Sequence, residues 1–203
     1  MHRFPLAIIP AGGKGTRMGP GPHKCLRLVN GEPIIRHVVR FWMGHSDSQV
    51  VVAPREMARE MSMAMPSAIV RADEGRGICQ AVLTGLRSAP PQFIVALGDC
   101  LFDGEFGPMP EGPFTGVAVQ HQPESEWGRS YAVGEHQNLI EKPSLGLGAY
   151  FFTWSHLWAL EQYQGITAAM GALEARTAVH RIEFTGFYRN LTYPEDLQKP
   201  WPG

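Results

Sequence analysis

Between Ala7 and Arg27 the chain reads AIIPAGGKGTRMGPGPHKCLR, and no other stretch narrows the possible folds as much. Leu6 to Ile9 is a short apolar run of the kind that forms a buried strand. It leads into Gly12, Gly13 and Gly15, which leave backbone N–H groups uncovered and permit positive φ. Successive uncovered amides make an anion-binding concavity, so the loop is expected to wrap a polyphosphate. Lys14, Arg17 and Lys24 add positive charge where the phosphates would lie. Arginine offers a planar fork to phosphate oxygens, whereas lysine acts as a point charge. The plainer alternative is a glycine-rich strand-to-helix turn with its cations in solvent.

Two familiar phosphate loops are excluded by spacing. A P-loop needs G-x-x-x-x-G-K-[ST], and here Lys14 is followed by Gly15. A dinucleotide fingerprint needs G-x-G-x-x-G; Gly13 and Gly15 fit, but Met18 stands where the third glycine belongs. What remains is G-G-x-G-T-R-M, with Thr16 and Arg17 inside it and Lys24 after a Gly/Pro-rich turn.

The rest of the first hundred residues alternates short apolar runs with helical patterns. A helix is expected over Ile34 to Met43, with Pro33 in its first turn and Ile34, Ile35, Val38, Val39 and Trp42 recurring at helical spacing. Gln49 to Ala53 reads as a strand and Pro54 to Met63 as a helix, in which Met57, Met61 and Met65 are packing residues. Ser67 to Val70 is a strand, Gly77 to Leu86 a helix and Phe93 to Leu97 a buried strand. This β-α-β rhythm predicts an α/β fold whose sheet is mostly parallel, with helices on both faces. Past Asp99 the texture changes. Gly104 to Pro113 reads as loop, with Asp103 a loop residue. Strands follow at Phe114 to His121, Ser130 to Val133, Leu139 to Ile140, Gly148 to Thr153 and Val179 to Phe184. Helices are expected at Ser155 to Gln162 and Thr167 to Ala175, and Tyr150 and Trp154 read as core.

A chain of 203 residues is long enough for one domain with a sizeable core, here residues 1–203, with a nucleotide-binding half over 1–100 and an acceptor-binding half over 101–203. A formal net charge of −1 argues against nucleic acid as a partner. The distribution of charge says more. Residues 1–31 hold Arg3, Lys14, Arg17, Lys24 and Arg27 and no acid, whereas residues 99–141 hold eight acids and Arg129 alone among lysines and arginines. A basic loop opposite an acidic segment suits a metal-bound polyphosphate. The outer acids, such as Glu111, read as solvated surface. No apolar run has the length of a membrane span. Cys25, Cys79 and Cys100 form no CxxC, and they fit a reducing, cytoplasmic setting as small apolar fillers.

Four further motifs carry candidate chemistry. Asp99 follows the apolar strand at its carboxyl end, where open α/β sheets bind ligands, and a lone carboxylate there suits Mg²⁺, which takes one or two carboxylates plus phosphate oxygens and water. The alternative is a turn-forming aspartate after Gly98. At Glu141-Lys142-Pro143 the lysine is a candidate for the acceptor's phosphate and Glu141 for its hydroxyls. Gly77, opening a helix, would let the backbone approach a flat base. In Asn190 to Leu197, either Asn190 or Thr192 is a candidate second oxygen for the metal, and Asp196 reads as a surface or capping residue.

Taken together, G-G-x-G-T-R-M…K, G-I-C-Q-A, L-G-D-x-L-F, E-K-P, G-x-Y-F-F and N-x-T-x-P-E-D-L resemble, in order and across essentially the whole chain, the sugar-phosphate nucleotidyltransferases. The LGDCLFDG and GICQA segments look most like glucose-1-phosphate thymidylyltransferase. The resemblance implies a single Rossmann-like α/β domain of the nucleotide-diphospho-sugar transferase type. It also implies Mg²⁺-dependent transfer of a nucleotidyl group from an NTP to a small phosphorylated acceptor, such as a sugar 1-phosphate, with release of pyrophosphate. By that likeness Ala11, Gly12 and Gly77 face the base, within a nucleotide-binding set that also includes Gly13 and Thr16. Gly15 and Arg17 hold the triphosphate, Lys24 the α-phosphate, Asp99 the Mg²⁺, and Glu141 and Lys142 the acceptor. Arg17, Lys24 and Lys142 would be the catalytic cations.

Two departures bear on the substrates. Only four residues separate Pro143 from Gly148, so the acceptor-binding region is trimmed. NLTYPEDL looks more like the ending of small cytidylyltransferases and of the molybdenum-cofactor guanylyltransferase. The alternatives are therefore a cytidylyltransferase for phosphocholine or a phosphonate, or a non-catalytic nucleotide-binding regulator on the same fold. The sequence is compatible with a homo-oligomer.

Overall fold

The structure is a computed structural model that describes residues 3–87, 90–120 and 145–201. Strand β1 (Phe4–Pro10) leads through the glycine loop and two 3-10 turns, Thr16–Met18 and Lys24–Leu26, to a two-stranded ribbon of β2 (Leu28–Val29) and β3 (Glu32–Pro33). There follow α1 (Ile34–Met43), β4 (Ser46–Pro54), α2 (Ala58–Ala64), β5 (Ile69–Asp73), α3 (Ile78–Gly85) and β6 (Gln92–Ala96). The later part holds β7 (Cys100–Phe106), β8 (Gly116–Gln120), β9 (Leu145–Thr153), α4 (Leu157–Gln162), α5 (Ile166–Glu174) and β10 (His180–Asn190), then a 3-10 turn at Pro194–Leu197.

Eight of these strands form one mixed sheet in the order β5-β4-β1-β6-β9-β8-β10-β7. The pairs β4–β5, β1–β4, β1–β6 and β8–β10 are parallel. Strand β9 runs antiparallel to both β6 and β8, and β7 antiparallel to β10. Side chains alternate across a strand, and here both faces are covered. Ala7 and Ile9 of β1 join Val51, Ala53, Ile94 and Ala96 on one face, where α1 and α2 bring Ile34, Val38, Trp42 and Met61. Ile8 joins Val50, Val52, Phe93 and Val95 on the other, where α3, α4 and α5 bring Val82, Leu160 and Leu173. Burial on both faces is why these strands read as continuous apolar runs.

The expected helix over Ile34–Met43 forms with those bounds, although Pro33 sits one residue ahead of it, extended at ψ 137°. Met61 and Met65 are buried and Met57 packs against the same core. Three expectations are corrected. The segment Gly104–Pro113 is not all loop: Gly104, Glu105 and Phe106 complete β7, and Asp103 is a strand residue opposite Phe187. Gly104 pairs with Gly186 across the ladder, and a Cβ at Gly104 would meet Gly186 Cα at 2.8 Å. The glycine therefore marks a close backbone crossing between strands. Helix α2 begins at Ala58, since Pro54 still belongs to β4. Trp154 is exposed instead of core, because it begins the 3-10 turn that leads off the sheet into α4. The expected strands Ser130–Val133 and Leu139–Ile140 lie outside the described residues.

Candidate active site

The carboxyl ends of β1, β5 and β6 open onto a cleft of about 310 Å³. Six residues singled out from the sequence line it together: Ala11, Gly12, Gly13, Lys24, Gly77 and Asp99. Ala11 is tied to β4 by its N–H donating to Val52 O at 2.7 Å, and Gly98 N–H donates to Pro10 O at 3.1 Å. The glycine loop and the Asp99 loop are thus fastened side by side at adjacent strand ends.

Gly15 explains how Lys24 reaches this cleft. It is left-handed at φ 60°, and a Cβ there would sit 2.7 Å from Lys24 Cβ. Only a glycine lets the base of the Lys24 side chain lie against the loop. Met18, buried at the end of the first turn, is a hydrophobic plug where a dinucleotide loop would have glycine. Arg27 donates to Gly19 O at 2.7 Å and to Pro20 O at 3.1 Å, lacing the Gly/Pro turn between the loop and Lys24. Thr16 and Arg17 are exposed on the first turn, outside the residues that line the cleft.

Lys24 Nζ donates to Asp99 Oδ2 at 2.5 Å, with side-chain exposures of 11% and 27%. The ion pair joins the two motifs the sequence marked for phosphate and for metal. Asn190 lies opposite Cys100 in the β7–β10 ladder, and Leu191 N–H donates to Asp99 O at 2.9 Å. Asn190 and Thr192, joined by a 3.2 Å hydrogen bond from Thr192 Oγ1, therefore sit beside the Asp99 backbone without lining the cleft. Asp196 is a cap, as expected: its Oδ2 accepts from Thr192 N and Tyr193 N at 2.9 and 2.8 Å. Burial works against its charged form, yet those backbone donors and Lys199 hold its carboxyl below the ordinary range. Glu141 and Lys142 lie outside the described residues.

Two contributors were not found in the sequence. Asp73, at the end of β5, lines the cleft and accepts from Gly75 N at 3.0 Å and Thr84 Oγ1 at 3.2 Å. Of the described residues lining the cleft, Lys24, Asp73 and Asp99 carry charge. The signal was present in D-x-G-x-G before a helix, but a strand-terminal acid is common. His23 is the second. Its Nδ1 accepts the Cys25 N–H at 3.4 Å, capping the turn that carries Lys24. Burial lowers its pKa and outweighs the opposing influence of Glu56, Glu60 and the Gly13 backbone, with Lys24 adding to the lowering.

The three cysteines are free and buried. Burial pushes the Cys79 thiol up to about 11 and the Cys25 and Cys100 thiols further, Asp99 adding to both of the latter. None supplies a thiolate near neutral pH. Among the described residues no helix is long and apolar enough to cross a membrane, and no group of three His, Cys, Asp or Glu side chains is placed to hold a metal.

Residues 7–106 match the family model described as the MobA-like NTP transferase domain. A 2-C-methyl-D-erythritol 4-phosphate cytidylyltransferase from Streptomyces coelicolor is 35% identical over 102 residues, covering 45% of this chain and 37% of that protein. The matched segment thus spans well under half the length of that curated relative. In structure, the inositol-1-phosphate CTP transferase from T. maritima superposes with a TM-score of 0.77 at 16% identity, over 95% of this chain and 91% of that one. A putative glucose-1-phosphate thymidylyltransferase from Bacillus anthracis gives 0.74 at 19% identity, over 95% and 92%. The two superpositions speak to the fold across nearly the whole chain, and the sequence match to its first half. Residues 7–106, just under half of the chain, are thus similar in sequence to a MobA-like NTP transferase domain, and the superpositions extend the likeness of fold over the remainder.

Proposed function

We propose that this protein transfers a nucleotidyl group from an NTP to a small phosphorylated acceptor, releasing pyrophosphate. The observation that carries the reading is the meeting of Lys24 and Asp99 in the cleft bordered by the glycine loop. One group is suited to a phosphate and the other to the metal that accompanies it. An oxygen of the acceptor's phosphate attacks the α-phosphorus, the α–β bridging bond breaks, and pyrophosphate leaves. The nucleophile is already an anion at neutral pH, so no general base is required. Positioning and charge neutralisation are the remaining work.

In this reading the loop amides of Gly12, Gly13 and Gly15 receive the triphosphate, with Arg17 at its rim. Lys24 sits against the α-phosphate, and Lys142 with Glu141 receives the acceptor, which assigns 1–100 to the nucleotide and 101–203 to the acceptor. Asp99 fits Mg²⁺ as a single carboxylate facing a cleft for phosphates, since that ion takes one or two carboxylates and completes its shell with phosphate oxygens and water. When bound it would neutralise charge on the triphosphate and its leaving group, with Asn190 or Thr192 as its second protein oxygen. The free thiols suit a reducing, cytoplasmic setting.

Asp73 bears on the base. A carboxylate only accepts hydrogen bonds, so at the wall of this cleft it favours a base with an exocyclic amino group. The cytidylyltransferase names of the sequence relatives point the same way, which makes CTP with a small sugar or polyol phosphate the first pair to try. A guanylyltransferase is the second reading, on the likeness to the molybdenum cofactor guanylyltransferase of Burkholderia vietnamiensis, 35% identical over 92 residues, 43% of this chain and 44% of that protein. The test is a pyrophosphate-release screen of CTP, UTP, dTTP, GTP and ATP against sugar 1-phosphates, 2-C-methyl-D-erythritol 4-phosphate, phosphocholine and small phosphonates, with Mg²⁺ and with EDTA. Release requiring one NTP, one acceptor and the metal, and abolished by Asp99→Ala, is expected. Nucleotide binding without release from any pair would favour a regulator. Lys142→Ala should raise the KM for the acceptor and leave NTP binding unchanged; weakened NTP binding alone would remove it from the acceptor site.

A further inference from the structure

Behind Asp99 lies a short line of hydrogen-bond donors that the reaction above does not use. Asp99 Oδ2 carries the Lys24 ammonium. Its other oxygen, Oδ1, is 3.7 Å from Cys100 Sγ, and the Tyr188 hydroxyl is 3.4 Å from that same sulfur. A carboxylate only accepts, and a thiol has one hydrogen. The direction is therefore settled: the Cys100 S–H donates to Asp99, and the Tyr188 O–H donates to the sulfur. Burial keeps both the thiol and the phenol protonated, their pKa values lying well above the ordinary ones.

The surroundings fix this line in place. Gly148, on β9, has φ +66°, and a Cβ there would lie 2.7 Å from Cys100 Sγ and 3.0 Å from Leu97 Cδ1. The thiol thus occupies space that a side chain at 148 would take. Leu97 N–H donates to Gly148 O at 2.9 Å, so β9 also holds the backbone just before Asp99. Tyr188 comes from β10, whose following residues pair with Cys100 and hydrogen-bond the Asp99 carbonyl. Three strands converge on one carboxylate, and one of its oxygens is held from inside the protein.

We propose that Cys100 and Tyr188 are positioning residues for the divalent cation that arrives with the nucleotide: their hydrogen bonds pin Asp99 Oδ1 and so aim Oδ2 into the cleft. The inference rests on the reading of Asp99 as the residue that holds that cation. Partners one step behind a metal ligand orient it, and their loss costs 10–100-fold in metal affinity as a rule. A thiol is a weak donor, which places this case at the low end.

The test measures Mn²⁺ binding by electron paramagnetic resonance, with the NTP selected by the pyrophosphate screen present and acceptor absent, so that nothing turns over. Cys100→Ala should weaken Mn²⁺ binding about tenfold and Tyr188→Phe about threefold. Cys100→Ser, which restores a donor, should stay within about twofold of the parent. Tyr188→Phe removes one oxygen and keeps the aromatic ring, so it decides the matter if Cys100→Ala does not fold. Parent-like Mn²⁺ binding in both Cys100→Ala and Tyr188→Phe, with Asp99→Asn strongly weakened, would overturn the positioning role and leave the metal reading intact. Failure of Cys100→Ser to recover what Cys100→Ala loses would equally reduce Cys100 to a filler. Parent-like binding in Asp99→Asn would overturn the metal reading itself, and this inference with it.

Discussion

Replacing Lys24 and Asp99 singly and together should separate an interacting pair from two neighbours. Their side chains are 11% and 27% exposed, and the charged atoms are 2.5 Å apart. Removing one partner of a fully buried pair costs about 3–5 kcal/mol, and an exposed pair is worth about 0–1 kcal/mol. This pair lies between those limits, so Lys24→Met or Asp99→Asn should each cost about 2 kcal/mol, because each strands the other charge. For a chain of this size about 1 kcal/mol moves Tm by roughly 2–4 °C, so each single variant should melt roughly 4–8 °C lower. The double variant leaves neither charge stranded and should fall less than the sum of the singles, with a coupling of about 1–2 kcal/mol. The assay is thermal unfolding of all four proteins without nucleotide, at one ionic strength. Drops that add to within about 0.5 kcal/mol would refute the pairing. A second signature comes from binding: Lys24→Met should tighten Mg²⁺ binding in the absence of nucleotide, since it removes the cation that occupies Asp99.

Gly15→Ala combines a left-handed φ of 60° with a Cβ 2.7 Å from Lys24 Cβ; it should cost about 1–2 kcal/mol of stability and raise the KM for NTP, read by melting and steady-state kinetics. His23 is held below its ordinary pKa of 6.5 by burial, so the unfolded chain takes up its proton first as pH falls. Its contribution is complete above 6.5 and is lost between 6.5 and the lower folded pKa; His23→Gln should flatten the fall of Tm with pH in that window. Asp196→Ala removes the acceptor for Thr192 N and Tyr193 N and should cost about 1 kcal/mol, visible as a Tm roughly 2–4 °C lower.

The first hundred residues were legible because their physics is local. Ala7 to Ile9 of β1, Val50 to Ala53 of β4 and Phe93 to Ala96 of β6 are buried on both faces, so each reads as an unbroken apolar run, and α1 shows its periodicity plainly. The glycine loop, Lys24, Gly77 and Asp99 were each marked by residue type and position, and the fold brings them to one cleft. What sequence reading missed depends on partners far away in the chain. Gly104 reads as loop until Gly186 is placed opposite it. Asp73 is an ordinary strand-terminal acid until β5 and β1 lie in one sheet with β4 between them. Cys100 and Tyr188 are 88 positions apart, and nothing local in either segment announces a shared hydrogen bond. Trp154 misleads in the opposite sense, since an aromatic after an apolar strand suggests core, whereas the chain has already turned off the sheet.

The proposed transfer breaks the bond between the α-phosphorus of the nucleotide and the oxygen that bridges it to the β-phosphorus. Phosphorus-31 NMR of the protein with CTP, 2-C-methyl-D-erythritol 4-phosphate and Mg²⁺, or with the pair selected by the pyrophosphate screen, tests it most directly. The three nucleotide resonances are expected to give way to inorganic pyrophosphate and the coupled pair of a new phosphoanhydride, and Asp99→Asn is expected to leave the spectrum unchanged. Appearance of CDP with a newly phosphorylated acceptor would place the attack at the γ-phosphorus and contradict it.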